Sequence, residues 1–188
     1  ASACSVRDVI ANGTVAVSNG KVDYAFDEFR YAPFMENTVH LLKPVTAEDF
    51  RIKAPAGTTK ARVRVMQVSG RSLYSEAKEA VLPVIDGEIC CNEETDVMHA
   101  ACVERYGKNG GIGKAFISGF GFTRSSIASS VGHDHHNITV IGKNLEDMAL
   151  CVNRIAETGG GLVIAEKGEI IFELPLPICG LLATMDGE

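Results

Sequence analysis

Apolar residues recur along this chain in two rhythms. From 144 to 161 the rhythm is helical: Met148, Cys151, Val152 and Ile155 fall at i, i+3, i+4 and i+7, the stripe of an amphipathic helix. Asn144 is its expected N-cap, Glu146 and Asp147 complement the dipole from the first turn, and Gly159-Gly160-Gly161 stops it. Elsewhere the rhythm is two. Arg62/Val63/Arg64/Val65 within 60–68 predicts a half-buried strand, with Lys60, Arg62 and Arg64 on its solvated face. Glu79–Ile85 is a second strand, closed by Asp86-Gly87. Met98, Ala100 and Cys102 alternate with their neighbours, so Met98–Arg105 reads as strand rather than helix. Ser126–Val131 and Ile138–Ile141 are short strands around a polar run. Leu162–Ala165, Lys167-Gly168 and Ile170–Leu174 read as strand, tight turn and strand, ended by Pro175 and Pro177.

The first thirty residues also read as β structure. Val6, Val9 and Ile10 precede Asn12-Gly13, and Val15 and Val17 follow before Asn19-Gly20. Asn-Gly supplies both positive-φ positions of a type I′ turn, so a hairpin with a second turn behind it is expected. Residues 23–37 hold Tyr24, Phe26, Phe29, Tyr31 and Phe34, with Pro33 breaking any helix; an irregular connector packing its rings against a neighbour is expected. Residues 38–57, with Pro44 and Pro55, read as an extended crossing segment. Gly107 to Gly121 holds six glycines around Ala115-Phe116-Ile117, spacing that suits strands approached closely by another backbone. The pattern is that of an α+β fold: β-rich layers, a small β segment, then a sheet domain with a packed helix.

Composition narrows the function classes. Hydrophobic residues make up 46% and charged residues 22%, as in a folded protein rather than a disordered one. The net charge is −6 and no basic cluster forms, so nucleic acid is not an expected partner. No apolar run approaches the ~20 residues of a membrane span. Ala1-Ser2-Ala3-Cys4 lacks the basic-then-apolar signal-peptide pattern, and a cytoplasmic setting is expected. The six cysteines (Cys4, Cys90, Cys91, Cys102, Cys151, Cys179) include no CxxC pair and are expected to be buried, reduced thiols.

One dense polar cluster stands out: His133-Asp134-His135-His136-Asn137. It offers metal ligands, proton carriers and hydrogen-bonding groups in five residues. In an extended segment His133 and His135 would share one face, and Asp134 and His136 the other. Such a His-x-His pair could bind a metal with ligands from elsewhere; the run could equally be a polar loop with capping imidazoles, or a loop that contacts substrate. His40 and His99 stand alone. Gly110-Gly111-Ile112-Gly113-Lys114 is not a phosphate loop, because Lys108 stands at the first glycine position and Ala115 follows the lysine. Gly159-Gly160-Gly161 ends a helix rather than opening one, and Gly119-Phe120-Gly121-Phe122 lacks the third glycine of a dinucleotide fingerprint. Ser125, Ser126, Ser129 and Ser130 lie in no Gly-x-Ser-x-Gly elbow.

Ile127-Ala128-Ser129-Ser130-Val131, His133-Asp134, His136-Asn137-Ile138, Val140-Ile141-Gly142 and Glu146-Asp147-Met148-Ala149-Leu150 resemble the C-terminal region of bacterial and archaeal adenine deaminases. The likeness runs on through Val152-Asn153-Arg154, Gly159-Gly160-Gly161-Leu162-Val163, Glu173-Leu174-Pro175-Leu176-Pro177-Ile178 and Gly180-Leu181. Val103-Glu104-Arg105, Ile112-Gly113 and Gly119-Phe120-Gly121 fit the same family. Val6-Arg7-Asp8-Val9-Ile10 with Asn12-Gly13 looks like the last strands of the small β domain of amidohydrolases, and Pro44-Val45-Thr46 with Glu48-Asp49-Phe50 like the family's connector. Three places depart: His135 stands where the family usually has Ser, Gly132 where it usually has Ala, and Tyr106-Gly107 follows Arg105 where the family often carries His residues.

The resemblance implies three segments: closing strands of the small β domain over 1–36, an extended connector over 37–70, and the C-terminal domain over 71–188. It implies conversion of adenine and water to hypoxanthine and ammonia, with Mn or Fe held by a barrel. At 188 residues the chain is expected to lack that barrel, which needs roughly 250, to hold no metal itself and to be inactive alone. The expected catalytic residues are His133, Asp134 and His136, and Asn137 the adenine-binding residue. Expected partners are adenine, the barrel portion of the same enzyme and further copies in a homo-oligomer. An autonomous metal- or purine-binding module and a purely structural or oligomerisation domain are the competing classes.

Overall fold

The computed structural model describes residues 5–23, 30–70, 74–92, 94–122 and 124–184. The chain divides into two compact units, residues 1–31 and 32–188. The first is a three-stranded antiparallel sheet of β1 (Val9–Ala11), β2 (Thr14–Ser18) and β3 (Lys21–Val22). Asn12-Gly13 and Asn19-Gly20 make its turns, all four with positive φ, as the sequence predicts. Its large apolar side chains are not buried: Ile10 is 70% exposed and Val22 66%.

The second unit carries helix α1 (Ala47–Phe50), then strands β4 (Lys60–Gln67), β5 (Glu76–Ile85), β6 (Glu88–Ile89), β7 (Met98–Val103), β8 (Ile112–Ser118), β9 (Ser126–Ser129) and β10 (Ile138–Gly142). Helix α2 (Leu145–Glu157) and strands β11 (Gly161–Glu166) and β12 (Glu169–Pro175) complete it. Among the described residues the strands form one nine-stranded sheet in the order β12-β11-β9-β10-β7-β8-β4-β5-β6. Its pairings are antiparallel except β4 with β8. The architecture is α+β.

Helix α2 lies on one face and buries the predicted stripe. Met148, Cys151, Val152 and Ile155 pack with Ala101, Val103, Ala128, Ile138, Val140 and Val163. Asn144 caps it, its side chain accepting from Asp147 N at 2.7 Å. Asp147, expected only to complement the dipole, does more. It is buried and accepts the N–H groups of Lys167 (3.0 Å) and Gly168 (2.7 Å), which fixes the β11–β12 turn. Arg154 reaches the far end of that hairpin, donating to Glu173 at 2.5 and 3.2 Å. A second cluster of Val63, Val65, Leu82, Ile89 and Phe116 fills the β4–β5–β8 end. Arg62 and Arg64 point to solvent, as expected.

Several expectations are corrected. Segment 38–57 is not extended throughout: Thr46 N donates to Asp49 at 2.8 Å, opening α1, and Phe50 is buried. Asn153 of α2 holds this segment through both Val45 N and Val45 O, each at 2.9 Å. The ring of Phe34 is 77% exposed rather than packed; Tyr24, Phe26 and Phe29 lie outside the described residues, as does Cys4. Of the free cysteines Cys151 is buried, whereas Cys90, Cys91, Cys102 and Cys179 are half-buried. Close backbone approach holds at Gly119, where a Cβ would run into the Val68 carbonyl, but Gly113 and Gly121 face open space.

His99 on β7 is buried, with Nδ1 unpartnered and its ring 5.2 Å from Phe116. Burial pushes its pKa down to about 4 from 6.5, against an opposing pull from Glu88. Below 6.5 the unfolded chain takes up a proton that the folded chain refuses, so stability is lost as pH falls from 6.5 to 4 and no further below. The full effect is roughly 3 kcal/mol. His99→Leu should remove this part of the pH dependence in urea unfolding; a profile identical to wild type would exclude His99 as its source.

Candidate functional site

The polar run lies between β9 and β10. It is a tight turn and not the extended segment that would sort His133 with His135. His136 N donates to Gly132 O at 2.7 Å, and Asp134 and His136 both adopt left-handed backbone, φ 72° and 48°. Each such residue costs about 1–2 kcal/mol, so contacts elsewhere must hold the turn.

They come from the end of β7. Arg105 is 2% exposed. Its Nε donates to the His136 carbonyl and its Nη2 to the Cys179 carbonyl at 2.9 Å. Gly180 makes room for it: a Cβ there would fall inside the guanidinium. Ser130, no nucleophile, binds the same corner, donating to Gly180 O at 2.6 Å and accepting from Gly161 N at 2.8 Å. Tyr106 lies beneath the guanidinium, 5.3 Å from its centre, and its hydroxyl faces the carbonyls of His135 and His136 at 3.2 and 3.4 Å. Glu104 accepts the N–H groups of Tyr106, Lys108, Asn109 and Gly110. Burial would raise its pKa, but those donors hold it below the usual carboxylate value.

The predicted site residues divide into two pairs. His133 and Asp134 contact each other at 3.2 Å with side chains 95% and 89% exposed. His136 and Asn137 are half-buried, and His136 Nδ1 and Asn137 Oδ1 are buried without a hydrogen-bond partner. Such atoms cost about 1–3 kcal/mol each. Asn137 lies beside Cys102, whose pKa burial raises against the opposing effect of Asn137. His135 closes the turn, its Nδ1 accepting from Asn137 N at 2.9 Å. Among the described residues no group of three or more His, Cys, Asp or Glu could hold a metal ion. The turn therefore offers an amide, an imidazole and an exposed His–Asp pair, not a ligand set.

Sequence reasoning missed Arg105 and Tyr106. An Arg after Glu at a strand end reads as solvated surface; the signal was Gly180, a small residue in a distant apolar stretch. The Gly110–Lys114 run proves structural, with Lys114 donating to the Arg51 carbonyl at 2.8 Å.

Comparison with known proteins matches residues 72–188 to the adenine deaminase C-terminal domain. The chain is 38% identical over 184 residues to an adenine deaminase of Moorella thermoacetica, covering 98% of this chain and 31% of that protein. It is 40% identical over 188 residues to one from Mesorhizobium japonicum, covering 100% and 31%. For the adenine deaminase of Staphylothermus marinus the identity is 33% over 180 residues, covering 96% and 30%. The chain thus spans about a third of the length of these relatives.

Gly132 and His135, two of the departures from the resembled spelling, lie side by side. A Cβ on Gly132 would sit 2.5 Å from His135 Cε1. Gly132→Ala should swing the exposed ring away and speed exchange of the Asn137 amide proton, at a stability cost below about 1 kcal/mol because the ring is free to move. Adding His135→Ser should remove the clash. An Asn137 amide unchanged in NMR-detected exchange of Gly132→Ala would refute the contact.

Proposed function

The chain belongs to the adenine deaminase C-terminal domain family, and from that premise we propose that it works as the closing part of an enzyme converting adenine and water to hypoxanthine and ammonia. In this reading it covers the mouth of a barrel contributed by the rest of the polypeptide. In this reading divalent manganese or iron would be held by that barrel.

The observation that carries the reading is the pair of unpartnered buried atoms, His136 Nδ1 and Asn137 Oδ1, on a turn held rigidly from behind. A carboxamide has one acceptor and one donor side. Adenine presents the complement, an amino donor beside a ring-nitrogen acceptor. Asn137 binds that edge, and His136 carries a proton to or from it. His133 and Asp134, exposed at the tip, meet the barrel side and orient or relay through Asp134.

The setting follows from the same reading. The free thiols of the described cysteines suit a reducing compartment such as the cytoplasm. A homo-oligomer is supported by the edge strand β12, on which Ile171 is 57% and Phe172 48% exposed.

In the complete enzyme Asn137→Ala and His136→Ala should each lower kcat/KM by about 100-fold, with unfolding midpoints near wild type. The 188-residue chain alone should not turn over adenine with added Mn²⁺ or Fe²⁺. Wild-type kinetics in both variants, or turnover by the isolated chain, would overturn the proposal.

A further inference from the structure

The geometry points to Arg105 as the positioning residue of the adenine-binding turn, acting on Asn137 through the main chain of His136. The inference rests on the role proposed above for Asn137.

A guanidinium keeps its charge at any working pH, so a buried one must find acceptors. Here the acceptors are not carboxylates. Among the described residues none forms an ion pair with Arg105, and neighbouring Glu104 is occupied by the 106–110 turn. Arg105 Nε and Nη2 find main-chain carbonyls, 31 and 74 residues away in sequence, while Nη1 is buried without a partner.

One of them sits where it controls the site. The peptide unit between His136 and Asn137 is planar, with its C=O and N–H on opposite sides. Arg105 holds the C=O, and His135 Nδ1 holds the N–H at 2.9 Å. Two bonds on opposite sides of one plane fix its rotation, and with it the direction in which the Asn137 side chain leaves the backbone. The Tyr106 hydroxyl supports the same carbonyl, and Nη2 ties the assembly to the Cys179–Gly180 turn. Lysine could carry the charge but not the fork that reaches both carbonyls.

The test is kinetics of the complete enzyme carrying Arg105→Lys, Asn137→Ala and both. Arg105→Lys should lower kcat/KM by about 10- to 100-fold, the size expected of a small misplacement. Its effect should vanish in the Asn137→Ala background, because nothing is left to position. Tyr106→Phe should give a smaller loss that also vanishes there; Tyr106 is 41% exposed, so this variant serves if Arg105→Lys does not fold. A residue that only holds the fold would give losses that multiply with Asn137→Ala. Wild-type kinetics in Arg105→Lys with an impaired Asn137→Ala, or losses that multiply, overturn the inference and spare the function proposed above. Wild-type kinetics in Asn137→Ala overturn the inference together with the role proposed above for Asn137.

Discussion

A positive charge buried without a carboxylate sets the conditions for much of this domain. Arg105 is met by the carbonyls of His136 and Cys179, and each lies on left-handed backbone, φ 48° and 55°. Turning a non-glycine residue left-handed is unfavourable, but it directs a carbonyl inward where an extended residue would not. Gly180 lacks a side chain because the guanidinium occupies that space. Ser130 joins the Gly180 carbonyl to the Gly161 amide, so the start of β11 is drawn to the same point. The triple glycine that ends α2 and the short apolar stretch at 176–181 thus meet around one side chain.

Helix α2 supplies the counterweight. Its apolar stripe is fully buried against the sheet, and burial of side chains of this size contributes about 1.5–3 kcal/mol each. Its polar residues are also employed: Asn144 caps, Asp147 and Arg154 hold the two ends of the β11–β12 hairpin, and Asn153 holds the segment before α1. This well-satisfied side of the sheet can carry a loop with left-handed residues and unpartnered atoms. Strain of that kind concentrates at functional sites when the surrounding structure determines it.

The legible part of the fold was the part encoded locally. The α2 stripe and its cap, the Asn-Gly turns and the Arg62–Val65 alternation each depend on residues a few positions apart, and each stands in the structure as read. Sheet order depends on pairing across long separations, so the placing of β9 between β10 and β11, or of β4 parallel to β8, left no periodic mark. Helix α1 was hidden because its four residues are too few to show a period. The site was half legible. Five polar residues in an apolar stretch marked the turn, but spacing implied an extended segment, and the structure replaces it with a left-handed turn whose His136 carbonyl Arg105 holds. A long-range contact between a charge and a carbonyl leaves no motif, since any residue supplies the carbonyl.

The turn and its support are satisfied to different degrees. Behind the loop Glu104 takes four amides, Arg105 two carbonyls with its Nη1 left unpartnered, and Ser130 a carbonyl and an amide. On the loop itself, His136 Nδ1 and Asn137 Oδ1 are buried without partners. A loop selected for stability alone would close that deficit with a hydroxyl or an apolar side chain. A loop that must bind gains by leaving it open, because the desolvation cost is then already met in the free protein and a ligand that completes the bonds recovers it. Holding such groups within a fraction of an ångström requires rigid support from a second layer of residues, and here that layer is built from main-chain acceptors around a buried guanidinium.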